Sequence, residues 1–291
     1  MAQAPALVVS RQAATSPWPL RWRAAGLIAR QEFRDALSGW GLYITAAIAI
    51  LAGALLQYNI VRSVEASGLE IVSRPLWFPL LVAVSLAALY LAAWASLAIA
   101  RPREQGALRV LFFAPVDPVA VIGGHALAGM AMHIVFLLLI TPVFMVMAWI
   151  VNLPFPTFSL AGLAASPLLI LPAIGIGLLI SAAAPSARSA MLIFAAVLAG
   201  LLLVQAGYSA LLQVPPSSRY YDALLFLREA LRLVRLALQW VSPLALVNNG
   251  LDAATRADWG ELAANALAGL VGGLVWLTLA VTALGRRGVL P

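Results

Sequence analysis

Six stretches of this chain, 41–61, 76–100, 119–151, 160–181, 190–212 and 262–284, carry no aspartate, glutamate, arginine or lysine. A hydrocarbon core near 30 Å asks for about 20 apolar residues of helix, and each of the six is long enough. Because that core holds no water, a spanning segment must pair its own backbone groups, which makes each run a helix. The expected fold class is therefore all-α: a polytopic membrane protein with six transmembrane helices. An N-terminal interfacial helix and an outer amphipathic helix are expected beside them. At 63% hydrophobic and 10% charged residues, an ordinary soluble domain is excluded. The third run is too long for a minimal span, at roughly 50 Å of helix, so it must tilt, protrude or bend, with Pro142 as the obvious bend. Pro167, Pro172, Gly175 and Gly177 predict a broken helix in the fourth. Gly269 and Gly273 form a GxxxG pair in the sixth, a spacing that permits close packing.

The polar segments between the spans differ in character. Residues 1–20 are rich in Ala, Pro and Ser with Arg11 their single charge, and read as a disordered cytosolic tail rather than a signal peptide. From 21 to 38 the pattern is helical. Trp22, Gly26, Ala29, Phe33 and Leu37 share one face, while Arg23, Arg30 and Arg34 mark another, as befits a helix in the headgroup plane. The break at 101–118 holds Arg101, Arg103, Glu104, Arg109, Phe112 and Phe113 in a space too small for a domain. A loop that only reversed direction would not need Phe112 and Phe113 beside Arg109. The segment reads as a short surface helix offering side chains to something in the cytosol.

The longest polar stretch is 214–261. Within it, the leucine-rich run 222–241 sets Arg228, Arg232, Arg235 and Gln239 within about 60° of arc, opposite Phe226, Leu233 and Trp240. Three arginines near a helix centre would cost roughly 8–10 kcal/mol on the insertion scale, and ten Leu, Phe and Val residues return about 3–6. Spanning loses, so an outer interfacial helix is expected there, with its arginines at the headgroups.

Charge sets the orientation. Five arginines lie in the N-terminal segment, three in the 101–118 break, one at Arg188 and two at Arg286 and Arg287; the short opposite loops carry only Arg62 and Arg74. Both termini and the 101–118 segment are thus expected in the cytosol. All 18 basic residues are arginine, so neither a Schiff base nor a Gly-Lys-Ser/Thr phosphate loop can form in this chain. There is no cysteine, which excludes disulfides and thiolate chemistry. The net charge of +7 flanks apolar spans, so its partners are anionic headgroups and not nucleic acid.

No carboxylate lies inside a span, which disfavours a proton-coupled carrier. His125 and His133 fall eight residues apart, about 80° round a helix, and offer no converging ligand set, so no metal is expected. Met130 and Met132 read as packing. No catalytic constellation can be assembled, and the chain does not read as an enzyme.

One further pattern runs through the chain. Arg103-Glu104-Gln105-Gly106-Ala107-Leu108, Leu111, Ala114-Pro115-Val116-Asp117 and Gly124-His125-Ala126-Leu127-Ala128 together resemble the second-to-third-helix region of ABC-2-type permeases, the membrane subunits of ATP-driven transporters. Ile28 to Asp35 is similar to their N-terminal interfacial helix. Ser242-Pro243-Leu244, Asp258-Trp259 and Arg286-Arg287-Gly288 resemble their outer segment and tail. The similarity leans, within the family, toward the branch serving gliding motility and copper-enzyme maturation. One position departs from the pattern: His125 stands where the family commonly has lysine, and no role is carried onto it.

The resemblance implies a transmembrane domain over 21–291 that works as a dimer with a second permease copy, identical or not, in a bacterial inner membrane. It implies that 101–118 couples the chain to a separate cytosolic dimer of ATPase subunits, which would hold the ATP and magnesium; no cofactor is expected in this chain. Arg101, Arg103, Glu104 and Arg109 would supply the charges of that coupling, and Phe112 and Phe113 the apolar contacts. The alternatives are a non-transporting membrane scaffold and a proton-coupled carrier.

Overall fold

The computed structural model describes residues 18–67, 76–106, 117–150, 157–214 and 221–287. The tail expected over 1–20 lies outside the described residues up to position 17, and so do Arg109, Phe112 and Phe113. Among the described residues there are ten helices and no strand: α1 (Trp18–Ser38), α2 (Gly41–Ser67), α3 (Trp77–Leu97), α4 (Ala100–Glu104), α5 (Pro118–Ile150), α6 (Thr157–Ala183), α7 (Ala187–Leu212), α8 (Tyr221–Val241), α9 (Pro243–Thr255) and α10 (Trp259–Arg287). Six segments are long and apolar enough to cross a membrane: α2, α3 continued through α4, α5, α6, α7 and α10.

Helix α6 is the centre of the bundle. It packs most extensively against α10, and then against α3 and α9. Leu169, Ile170, Ile174 and Leu178 are fully buried along it. These are contacts of shape, because lipid tails are as apolar as leucine and burial alone gives a bilayer helix little reason to choose a neighbour. Small residues bring the backbones together. A Cβ on Gly269 of α10 would lie 2.5 Å from the Leu168 carbonyl oxygen of α6, and one on Gly273 would lie 2.5 Å from the Leu171 side chain. The GxxxG pair of the sixth span is thus spent on α6. On the opposite side, Gly177 meets the Ala92 carbonyl of α3, where a side chain would have no room.

The expected break in the fourth span does not occur: α6 runs unbroken from Thr157 to Ala183 with Pro167 and Pro172 inside it. Each proline withholds an N–H from the carbonyl four residues back. For Pro167 that carbonyl is Leu163, which accepts from the Ser166 hydroxyl at 2.7 Å. The hydroxyl proton is thereby committed, so Ser166 Oγ accepts from His133 Nε2 of α5 at 2.8 Å. For Pro172 the freed carbonyl is Leu168, the one against which Gly269 lies. At Pro167 the serine hydroxyl takes the freed carbonyl, and the helix continues where sequence reasoning ended it. Helix α5 is likewise continuous over 33 residues through Pro142.

Sequence reasoning missed α9. It was merged into the polar stretch 214–261, yet Pro243, Leu246, Val247, Gly250, Leu251, Ala253 and Ala254 are buried against α6, α10 and α3. Pro243 opens the helix at a position that needs no N–H. An ion cluster holds its end to α10: Arg256 binds Asp252 at 3.0 Å and Glu261 at 2.7 Å.

The α6–α10 crossing supplies a paired test. Gly269→Ala forces the two backbones apart and should lower stability by about 1–3 kcal/mol. Gly272→Ala meets only Pro172 Cγ, at 3.7 Å, and should be neutral. Thermal unfolding of both purified variants in detergent checks the contrast, and equal melting would refute the packing described.

Candidate functional site

The polar groups that converge at one end of the bundle come from α1, α3, α4, the start of α5 and the α6–α7 turn. Their positions follow from two prolines. Pro102 cannot donate to the Ala98 carbonyl, and its ring crowds that oxygen, so the second span gives at Ala98–Ile99 and resumes as α4. The freed N–H groups of Ile99 and Ala100 both donate to Ser181 Oγ of α6, each at 2.9 Å. Gly106, with φ +74°, follows the end of α4 in a conformation that side chains resist. Pro185 stands in the turn between α6 and α7, where Ser186 and Ser189 form a reciprocal capping box at the start of α7.

Arg103 and Glu104 face that turn. The Arg103 guanidinium donates to Ala184 O at 2.6 Å and to Ala182 O at 3.2 Å from both terminal nitrogens. Glu104 Oε2 accepts from the Ala187 N–H at 3.0 Å. The guanidinium therefore covers the carbonyl end of α6, and the carboxylate covers the amide end of α7. Both match the partial charges of those helix termini. Arg101, by contrast, is exposed. It lines a groove of about 340 Å³ with Glu32 and Asp35 of α1 and with Trp94, Leu97 and Pro102.

The other wall of the groove is α1, which lies along the first half of α5. Ala25 is buried, and Ile28, Ala29, Phe33, Ala36 and Leu37 pack on the core. The packed stripe is turned from the face read from sequence: Trp22 is 56% exposed, and Gly26 is exposed. A close crossing explains the turn. A Cβ on Gly124 of α5 would lie 2.8 Å from Ile28 Cβ and 2.9 Å from Ala25 O, so the glycine lets the Ala25–Ile28 face of α1 sit directly on α5. Arg23, Arg30 and Arg34 are exposed on the remaining surface.

Two polar contacts hold α1 in register. Arg21 Nε lies 2.7 Å from Asp117 Oδ2, and Asp117 Oδ1 also accepts from the Ala120 N–H, so one carboxylate caps α5 and anchors α1. His125 Nδ1 donates to Val121 O at 2.8 Å, and Nε2 lies 3.5 Å from Glu32 Oε1. The histidines do not converge: His125 turns to α1, and His133 turns to Ser166 of α6. Among the described residues no cluster could hold a metal ion.

At the other end of the bundle, α8 packs on α7 and α9. Arg228 is half-buried, and Arg232 is exposed and paired with Glu229 at 3.3 Å. Phe226 and Leu233 are 82% and 60% exposed. The Arg235 side chain lies outside the described residues.

The residues on either side of 107–116 are thus both fixed, by the Arg103–Glu104 contacts before it and by the Arg21–Asp117 pair after it. Asp117→Ala removes both the cap and the anchor, and should cost about 1–2 kcal/mol. Asp117→Asn keeps a capping oxygen and loses only the ion pair. It should recover most of that stability while leaving α1 more accessible to protease at Arg23 and Arg30. Thermal melts with limited trypsin digestion read both effects, and identical digestion of wild type and Asp117→Asn would show that the ion pair does not hold α1.

The family described as ABC-2 type transporter matches residues 23–238, which run from α1 into α8. No curated protein matches the chain.

Proposed function

The chain belongs to the ABC-2 type transporter family, a multi-pass membrane transport subunit, and we propose that it is the permease half of an ATP-driven exporter. It forms the translocation path with a second permease copy and takes its energy from a separate cytosolic dimer of ATPase subunits. The observation that carries this reading is the polar corner around 101–118. It has an exposed arginine beside an acidic groove, and residues on both sides of 107–116 are tied into the spans. A partner pushing on that segment would push on α1, α5 and the α6–α7 turn together.

The absence of lysine supports an energy source outside the chain, because a phosphate-cradling loop needs one. ATP and magnesium are assigned to the partner. Arg101 contributes charge to the contact, with Arg109, Phe112 and Phe113 contributing charge and apolar surface. Arg103 and Glu104 support the segment from behind. The arginine distribution supports cytosolic termini in a bacterial inner membrane. On that orientation α1 lies at the cytosolic headgroups, through Trp22, Arg23, Arg30 and Arg34, while Phe33 faces the protein core. Helix α8 then lies at the outer headgroups, through Arg228, Arg232 and Arg235.

Two measurements test this. Purified gently, the chain should bring with it a subunit that hydrolyses ATP, and Arg101→Glu should reduce the amount retained about tenfold, as loss of a buried charged contact does. The variant should still insert in the membrane. A chain that purifies without any ATP-hydrolysing partner, with Arg101→Glu indistinguishable from wild type, would leave the scaffold reading in its place. For the topology, a reporter that fluoresces only in the cytosol should be bright when fused after Pro291, and an alkaline phosphatase fused there should be silent. The reverse pattern would mean that α8 crosses the bilayer.

A further inference from the structure

Arg103 and Glu104 are adjacent in sequence, yet they bind opposite ends of two successive helices. The guanidinium holds the last carbonyls of α6, and the carboxylate holds the first amide of α7. Ser181 adds two bonds in the reverse direction, accepting from the first amides of α4. The corner between α3 and α4 and the corner between α6 and α7 are thus joined by directional polar bonds. Elsewhere these spans meet mainly through apolar side chains, which can slide.

The two helices leaving the α6–α7 corner are unequally held. Among the six spans α6 is the most enclosed by the rest of the chain and α7 the least, with Leu192 and Leu203 of α7 66% and 72% exposed. A displacement of the corner meets a packed core through α6 and little resistance through α7.

We propose that Arg103 and Glu104 are positioning residues that transmit movement of the cytosolic segment to the fifth span, so that α4 and the start of α7 move as one body. The proposal rests on the reading of the chain as an ATP-driven permease. It gives Glu104 a role filled by an acceptor oxygen inside this chain, and it does not require the carboxylate charge to face a partner. Glu104→Gln keeps the acceptor and should behave as wild type, whereas Glu104→Ala should not. The double variant Arg103→Glu with Glu104→Arg keeps composition and net charge but sets each group against the wrong helix end.

The experiment uses the complete assembly of chain and co-purifying ATPase subunit in lipid vesicles. The chain has no cysteine of its own, so paired labels can be introduced without background. Spin labels at Gln105→Cys with Leu192→Cys report on the joint, and Ile48→Cys with Leu203→Cys report movement of α7 against α2. On adding ATP and magnesium, the first distance should stay fixed and the second should change. Glu104→Gln should reproduce both results. Glu104→Ala and the double exchange should broaden the first distance and reduce the ATP-dependent population of the second about tenfold, as expected for losing a hydrogen bond. Partner retention and melting temperature are measured alongside, and a merely structural role would change melting without separating the two distances.

If α7 moves with ATP equally in Glu104→Ala and wild type, the transmission role is wrong and the permease reading stands. The transmission role is equally wrong if Glu104→Gln fails as Glu104→Ala does, since charge and not an acceptor is then what matters. If no subunit in the assembly hydrolyses ATP and neither distance responds, the permease reading itself fails.

Discussion

A backbone polar group inside a bilayer has no water to turn to, so every interruption of a spanning helix must be repaired by the protein. This chain has several interruptions, and each repair joins two helices. Pro167 frees the Leu163 carbonyl, Ser166 takes it, and His133 of α5 binds the serine in turn. Pro102 loosens the end of the second span, and Ser181 of α6 takes the two amides that come free. The α6–α7 turn leaves a carbonyl end and an amide end, which Arg103 and Glu104 cover. An unsatisfied buried group costs about 1–3 kcal/mol, comparable with a large fraction of a protein's net stability. The need to avoid that cost selects which helices become neighbours, something burial of apolar surface cannot do in lipid.

Close packing completes the selection. Gly269 against Leu168, Gly177 against Ala92 and Gly124 against Ala25 bring backbones to a separation that no side chain would allow. Two of these contacts lie on α6, on faces toward different neighbours, and explain how one helix can serve as the centre of the bundle. The third fixes the crossing of α1 on α5, and with it the acidic wall of the groove that Arg101 shares.

What could be read from sequence divides along the same line. The six spans were legible because length and absence of charge are properties of single segments, and the structure places six candidate helices there. The helix expected over 222–241 was legible for the same reason, and it is α8. Helix α9 was not. Asn248, Asn249 and Asp252 make its sequence look like a loop, and its buried side is read only once α6 and α10 are present to cover it. The unbroken course of α6 was hidden for a related reason, since Pro167 announces a freed carbonyl but says nothing of the hydroxyl that accepts the task. Gly269 and Gly273 announced a close contact without naming Leu168 and Leu171 as its object. For Arg103 and Glu104, sequence placed charges in a polar break between two spans, and only the tertiary arrangement sets those charges against helix ends.

The geometry of that corner follows from electrostatics. Two antiparallel helices joined by a short turn present a carbonyl end and an amide end side by side, and so carry partial charges of opposite sign a few ångströms apart. Neighbouring residues on a short helix diverge by about 100° and can reach two such points at once. An arginine followed by a glutamate fits the carbonyl end of α6 and the amide end of α7 in one order only. A serine pair caps the same amide end from within the turn, through Ser186 and Ser189, so the local sequence already defines the start of α7 without help from α4. The Glu104 contact is therefore not required to begin the helix. What it adds is a tie between that helix and α4, through one hydrogen bond from the Ala187 N–H to Glu104.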